Sequence, residues 1–375
     1  MTLTADTTIP ASPPEFEIPR PRKGRWIDEW DPDNEVFWEA TGHRIARKNL
    51  ALSMFSEHIG FSVWVVWTIV VINLANIGIA LSVSQLFLLT LVPNLVGAVL
   101  RIPYTFAVPR FGGRAWTAFS AAMLLLPAVL LGVVVPSGWL LHQSHNAQLW
   151  ILFACAATSG LGGGNFASSM ANISFFYPER KKGFALGLNA AGGNLGVAVA
   201  QLFVPLVLII GLSDAAARNA KHHVHMAYAG WMWVPFIVIA VVCAWRYMDS
   251  LSQARTDTSS YRASLRLAHT WIISLLYIGT FGSFIGFSFA LPLVIKTHSP
   301  ISSPGTRSSP PISLGSALWV PWPGRCPGLS AAGSPTASAV PASRLACSLG
   351  WRGRPPSRSP ASRAAASRRS SSRSS

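Results

Sequence analysis

The sequence predicts an all-α polytopic membrane protein. Three observations carry that expectation. Several runs of about 20 apolar residues are each long enough to cross a hydrocarbon core of about 30 Å. Charged residues make up only 12% of the chain and mean hydropathy is +0.38, a balance that leaves little to solvate a water-soluble surface. Basic clusters follow every second apolar run, as the positive-inside rule requires.

In chain order, residues 1–23 are polar and Pro-rich and read as disordered; they contain no apolar h-region, so no cleaved secretory signal is expected. Residues 24–50 mix Trp26, Trp30, Phe37 and Trp38 with charge. That pattern fits either an amphipathic helix on the inner membrane face or a cytoplasmic cap. Seven spans are expected, at roughly 59–81, 85–108, 116–135, 149–176, 184–211, 227–247 and 269–294. Arg44, Arg47 and Lys48 precede the first; Arg110 and Arg114 follow the second; Arg180, Lys181 and Lys182 follow the fourth; Arg246, Arg255, Arg262 and Arg266 follow the sixth. All four clusters fall on one side, which puts the N-terminus in the cytoplasm and the protein in the cell (plasma) membrane. The loop after the fifth span, with Arg218, Lys221, His222, His223 and His225, is a mild exception; its histidines suit a solvated loop better than a metal site.

Four regions result: a cytoplasmic N-terminal region with an amphipathic segment (1–50), a six-helix transmembrane half (51–248), a cytoplasmic loop with the seventh helix (249–297), and an Arg/Ser/Pro-rich tail (298–375). The tail holds ten Arg and no Lys, Asp or Glu. The formal charge of +16 therefore overstates the rest of the chain, where 20 Lys+Arg stand against 14 Asp+Glu. The tail reads either as a basic disordered interaction region or as an out-of-frame sequence. In a shifted frame the genetic code permits Pro327–Ser343 to be read as a Gly-rich loop with an Asp-Arg pair, and His298–Ser302 as Phe-Pro-Asp-Ile; the shift would then lie at about Thr297–His298. Nucleic-acid binding is not expected, because Trp319, Trp322 and Trp351 are the tail's only aromatics.

Catalysis is not expected either. GLGGGN at Gly160–Asn165 follows no strand of a βαβ unit, so it is not a dinucleotide loop. No Ser-His-Asp set, metal triad or paired carboxylate stands in a span. Cys155 and Cys243 lie in apolar segments and Cys326 and Cys347 in the tail, with neither disulfide nor zinc spacing. No cofactor or metal is called for.

The stretch Gly160–Pro205 is apolar yet dense in glycine, and it carries Asn165, Asn172, Asn189 and Asn194. Such residues cost stability in lipid unless helices touch closely or meet a polar ligand. The pairs Gly160/Gly164, Gly183/Gly187 and Gly192/Gly196 recur at i, i+4 and suit close helix approach. Arg101 is the charge inside the second half of a span. Its guanidinium is planar, permanently protonated and fork-shaped, a match for a planar oxyanion; otherwise it snorkels from the end of span two. Glu57 and His58, at the start of span one, read as interfacial rather than as proton carriers, so no acidic residue is expected deep in the spans.

Four stretches carry a resemblance: LRIPYTFAVPRFGGR (Leu100–Arg114), GGGNFASSMANISFF, ALGLNAAGGNLGV and LLYIGTFGSFIGFSF (Leu275–Phe289). Together, over about residues 25–297, the chain resembles the nitrate/nitrite porters of the major facilitator superfamily. The loop after span two departs from the superfamily pattern by lacking its Asp, a usual variant in these porters. The resemblance implies the major facilitator fold, with the N-terminal six-helix half, about one helix of the second half, and then the divergent tail. It implies transport of nitrate or nitrite by alternating access, by uptake or by exchange, with the lipid bilayer as surroundings and protons left open as a coupling ion. Arg101 then matches the family's first substrate arginine, Phe166 and Asn194 face the substrate, and Tyr277 contributes its hydroxyl. Asn189 reads equally as a ligand and as an interhelical hydrogen-bonding group. The alternatives are a truncated fragment that does not transport, its second substrate arginine lost with the frame at Pro327–Gly328, and a membrane protein with a basic interaction tail.

Overall fold

A computed structural model describes residues 25–210, 224–255 and 263–298. The expectations for the tail from Ser299 onward, for residues 1–23, for Arg218, Lys221, His222 and His223, and for Arg262 lie outside the described residues. Among the described residues, seven helices are long and apolar enough to cross a membrane: span one Glu35–Ile77, span two Val83–Thr105, span three Gly113–Val133, span four His145–Phe176, span five Glu179–Leu208, span six Tyr228–Tyr247 and span seven Ala268–Thr297. Order and number match the sequence expectation.

Span one differs most. Its helix begins at Glu35, where the Asn34 side chain accepts from the backbone N–H of Val36 and Phe37 at 3.1 and 3.3 Å, an N-cap that satisfies two otherwise orphan donors. It then passes through a π-helical turn at Trp38–Gly42 and continues to Asn73. Polar residues before Ile59 had suggested that the apolar span starts there; in the fold they lie on the helix itself. Gly78, at φ +88°, ends it in a left-handed turn that a residue with a Cβ adopts only at a cost. Ser82 then opens span two with a reciprocal cap to Gln85.

Span one is buried along its length. Phe61, Val65, Trp67 and Val70 show no exposed surface. It packs on span five most extensively and also on spans four and six, while spans two and four, and three and six, form the other close pairs. Between helices in lipid there is little hydrophobic drive, so close packing and polar contacts must hold them. Trp64 Nε1 donates to the Pro93 carbonyl and Trp67 Nε1 to Ser159 Oγ, both at 3.0 Å. Small residues set the spacing. A methyl at Gly160 would lie 2.7 Å from Val96 Cβ, closer than any real contact, so spans two and four can meet only without it. A Cβ at Gly183 or Gly187 would meet nothing within 4 Å, so that pair does not serve helix approach here.

Residues 25–34 form a cap on the helical unit. Trp26–Ile27 pair in parallel with Ser250–Leu251, just beyond span six. Asp249, 2% exposed, ties this end together. It receives Arg25 at 2.7 Å and Lys48 at 2.6 Å, and Asn49 Nδ2 at 3.0 Å. Trp30, Phe37 and Trp38 are buried with Phe176, Tyr177 and Leu251, so these aromatics serve the cap and not a membrane-facing stripe.

Span seven lies against spans one and two. Gln201 Nε2 donates to the Ser288 carbonyl at 2.7 Å, and Lys296 reaches the Ile72 carbonyl.

Candidate functional site

Three of the five residues singled out from sequence gather where spans two, four and seven meet. Arg101 comes from span two, near its end at Thr105. Its Nε donates to the Gly163 carbonyl of span four at 3.3 Å. Its guanidinium carbon lies 5.5 Å from the centre of the Phe166 ring and 5.3 Å from that of Phe281, within cation–π range. Phe166 and Phe281 lie nearly parallel, 13° apart with centroids at 5.9 Å, and Tyr277 also stacks on Phe281, at 4.9 Å and 10°. The Tyr277 phenol is placed against the guanidinium. The reading of Arg101 as a snorkelling residue does not describe this placement: the side chain turns toward Gly163 and the two rings.

Phe166 owes its position to a break in span four. The helix runs His145–Gly164 and Phe166–Phe176, with Asn165 between. Ser168 Oγ donates to the carbonyl of Asn165 and to its Oδ1, both at 2.7 Å. Trp116 Nε1 of span three donates to Ser168 Oγ at 2.9 Å. Asn165 Nδ2 donates to Glu57 Oε1 of span one at 2.7 Å. The residue that precedes the aromatic wall is thus fixed from two sides.

Glu57 corrects the expectation of an interfacial position. It is 1% exposed, well inside a helix that starts at Glu35. Its Oε1 is held by Asn165, Ser169 lies beside it and Arg101 is the charge that faces it, while Oε2 is buried without a hydrogen-bond partner. The statement that the spans hold no buried acid is corrected with it. The late start assigned to span one is what concealed this carboxylate.

Asn189 and Asn194 do not join the Arg101 group through any contact among the described residues. Asn189 is fully buried. Its Nδ2 donates to Ser169 Oγ at 2.8 Å, and Ser169 Oγ in turn meets Ser53 Oγ at 2.9 Å. That chain joins spans one, four and five, which is the interhelical alternative for this residue. Asn194 is half-buried, and its Oδ1 has no partner. Phe281 is the residue that sequence reading missed. Its signal was its place at i+4 from Tyr277, which puts both rings on one face of the helix. No cluster of three metal-ligating side chains occurs among the described residues.

Chemically, the group offers one permanent positive charge, flat aromatic faces and a phenol, all partly or wholly removed from water. It contains no nucleophile–base pair. It can hold a small delocalised anion and let it go unchanged.

Comparison with known proteins agrees in kind. A sequence model of the Major Facilitator Superfamily matches residues 50–341, a stretch that holds Glu57, Arg101, Phe166, Asn189, Asn194, Tyr277 and Phe281. The chain is 43% identical over 279 residues to the nitrate/nitrite transporter NarU of Escherichia coli (strain K12), a match covering 73% of this chain and 59% of that protein. It is 34% identical over 283 residues to the probable nitrate/nitrite antiporter NarK2 of Thermus thermophilus, covering 73% and 61% respectively. It is 27% identical over 260 residues to the nitrite extrusion protein of Bacillus subtilis (strain 168), covering 68% and 58%. The chain thus spans about three fifths of the length of these curated relatives. With seven apolar spans and this match over most of its length, the chain is a multi-pass membrane protein that belongs to the major facilitator superfamily.

Proposed function

We propose that the chain binds nitrate or nitrite at Arg101 and takes part in moving the anion across the plasma membrane by alternating access, with its N-terminus in the cytoplasm. The single observation that carries this reading is the guanidinium of Arg101 set against the faces of Phe166 and Phe281. A planar guanidinium donates two parallel hydrogen bonds to a planar oxyanion. An aromatic face on one or both sides suits a flat, weakly hydrated ion. To sandwich such an ion, the two rings would have to stand about 7 Å apart, twice a contact distance of about 3.5 Å. Their centroids lie 5.9 Å apart, so the rings must move by an ångström or more, a displacement on the scale of small helix shifts. Phe166 and Phe281 belong to spans four and seven, so anion entry would wedge these two helices apart. The names of the relatives support transport rather than catalysis, and nitrate and nitrite rather than larger anions. The basic clusters flanking spans one, two, four and six support the orientation.

The test is direct binding. The purified chain in lipid nanodiscs is titrated with labelled nitrate, then challenged with nitrite and with sulfate. Nitrite should displace the label, and sulfate, tetrahedral and doubly charged, should not. Displacement by sulfate as effective as by nitrite would sink the planar-anion reading.

A further inference from the structure

The buried carboxylate of Glu57 is not used by the anion site as described, yet it stands next to it. Its Oε1 is bound by Asn165, the residue directly before Phe166. Its Oε2 is buried and unpartnered. Among the described residues, Arg101 of span two is the charged group facing it. Span four offers Asn165 and Ser169, and span five offers Gly193, whose added Cβ would lie 3.4 Å from Glu57 Cβ; none of these titrates. On its own helix, His58 turns away and meets the Gly192 carbonyl at 3.2 Å. The arrangement holds one cation and one acid in a space removed from water. With the site empty, Arg101 is, among the described residues, the one charged neighbour that favours the ionised carboxylate against the cost of its burial. An anion on Arg101 neutralises that neighbour and leaves a second negative charge buried without a partner, a state that burial strongly disfavours.

We propose that Glu57 is the proton-binding group of this site: when an anion occupies Arg101, a proton enters on Oε2, so that anion and proton bind and cross together as a symport. The proton is taken from a hydronium ion or a buffer acid on the open side, where an O–H bond breaks as the Oε2–H bond forms, and is returned to water on the other side when the anion leaves. Electrons and charge balance, since one negative ion enters with one positive ion. Asn165 gives the exchange a mechanical arm, because it connects the carboxylate to the break in span four that positions Phe166. The inference deepens the nitrate or nitrite reading and rests on it.

Two measurements on the purified full chain in nanodiscs test it. Infrared difference spectroscopy follows the protonated-carboxyl band with and without nitrate, and calorimetry in two buffers of different ionisation heat reads proton uptake on binding. Nitrate should increase the carboxyl band, and its affinity should rise about tenfold for each unit that pH falls on the alkaline side. E57Q should lack both the band and the proton uptake while still binding nitrate. Glu57→Asp, which keeps an acid one methylene shorter, should move the band and so assign it, also in the event that E57Q does not fold. Nitrate binding without proton uptake, or uptake that persists in E57Q, overturns the proposal. If nitrate does not bind at all, the anion-site reading fails on its own. The carboxyl titration then still decides: a band that titrates in the neutral range and is lost in E57Q supports Glu57 as a proton site, and a carboxylate ionised throughout that range refutes it.

Discussion

Replacing Arg101 by lysine keeps the positive charge and removes the fork. In the structure Arg101 spends its Nε on the Gly163 carbonyl at 3.3 Å, which leaves its two terminal nitrogens for a ligand and for Tyr277. A lysine ammonium satisfies at most one oxygen of a planar anion along a given direction, so one charge-assisted hydrogen bond is lost, about 1.5–3 kcal/mol. It also loses the flat stacking on Phe166 and Phe281, although part of the cation–π attraction, about 0.5–1 kcal/mol per ring, survives in an ammonium. At 1.4 kcal/mol per factor of ten, nitrate affinity should fall about tenfold to a hundredfold. Equilibrium binding of labelled nitrate to the two proteins in nanodiscs measures it, with thermal unfolding as a check that Arg101→Lys still folds. If the variant folds and its affinity stays within about threefold of the parent, under about 0.7 kcal/mol, the guanidinium geometry is not what holds the anion.

Further predictions concern the aromatic wall, the helix contacts and the cap. Phe281→Ala removes one of the two rings facing Arg101 and leaves Tyr277 unstacked, so nitrate binding should weaken by about 1 kcal/mol or more, read in the same titration. Gly160→Ala should destabilise the protein by about 1–3 kcal/mol through overpacking against Val96 and Gly97, whereas Gly187→Ala, in open space, should leave it unchanged or stabilise its helix by up to about 1 kcal/mol; unfolding in mixed micelles compares the pair, and equal losses would show that the approach of spans two and four does not depend on Gly160. Asp249→Ala removes the acceptor of Arg25, Lys48 and Asn49, and at about 1–3 kcal/mol for the lost bonds should speed tryptic cleavage at Arg25 about tenfold or more, while unchanged cleavage would mean that the strand pairing alone secures the cap.

Much of this architecture was legible in the sequence because lipid constrains it so strongly. Runs of apolar residues, broken by Gly78, by Gly112–Gly113 and by Pro178, locate the spans to within a few residues. The exception was span one, where Arg44, Arg47 and Lys48 lower the hydropathy of residues 43–58 together with Asn49, Ser53, Ser56 and Glu57, the last four of which are buried in the protein interior. Hydropathy reports the average surroundings of a segment, so it cannot tell a polar face turned to water from one turned to neighbouring helices. The same limit hid Glu57. Arg101 was legible because a guanidinium inside an apolar run needs a reason. Phe166 and Tyr277 were legible through their resemblance to a family pattern. Phe281 was not read: its place at i+4 from Tyr277 puts it on the same helix face, but one phenylalanine among nineteen does not point to Arg101 until the fold brings the two together. Asn189 and Asn194 share a helix five residues apart, which turns them about 140° from each other. Only the fold shows that the first of them is taken up by Ser169.

The cap has a mechanical consequence. Residues 26–27 and 250–251 lie side by side, so the six-span unit starts and finishes at one point and is closed like a hoop, with Asp249 as its buckle. Pulling on the segment that leads to span seven therefore loads the beginning of span one at once. The unit also has neighbouring ends, which makes it a candidate for circular permutation. A version with residues 25 and 251 joined by a short linker, and new ends opened between spans three and four at Ser137–Gln143, should retain the helix packing described here.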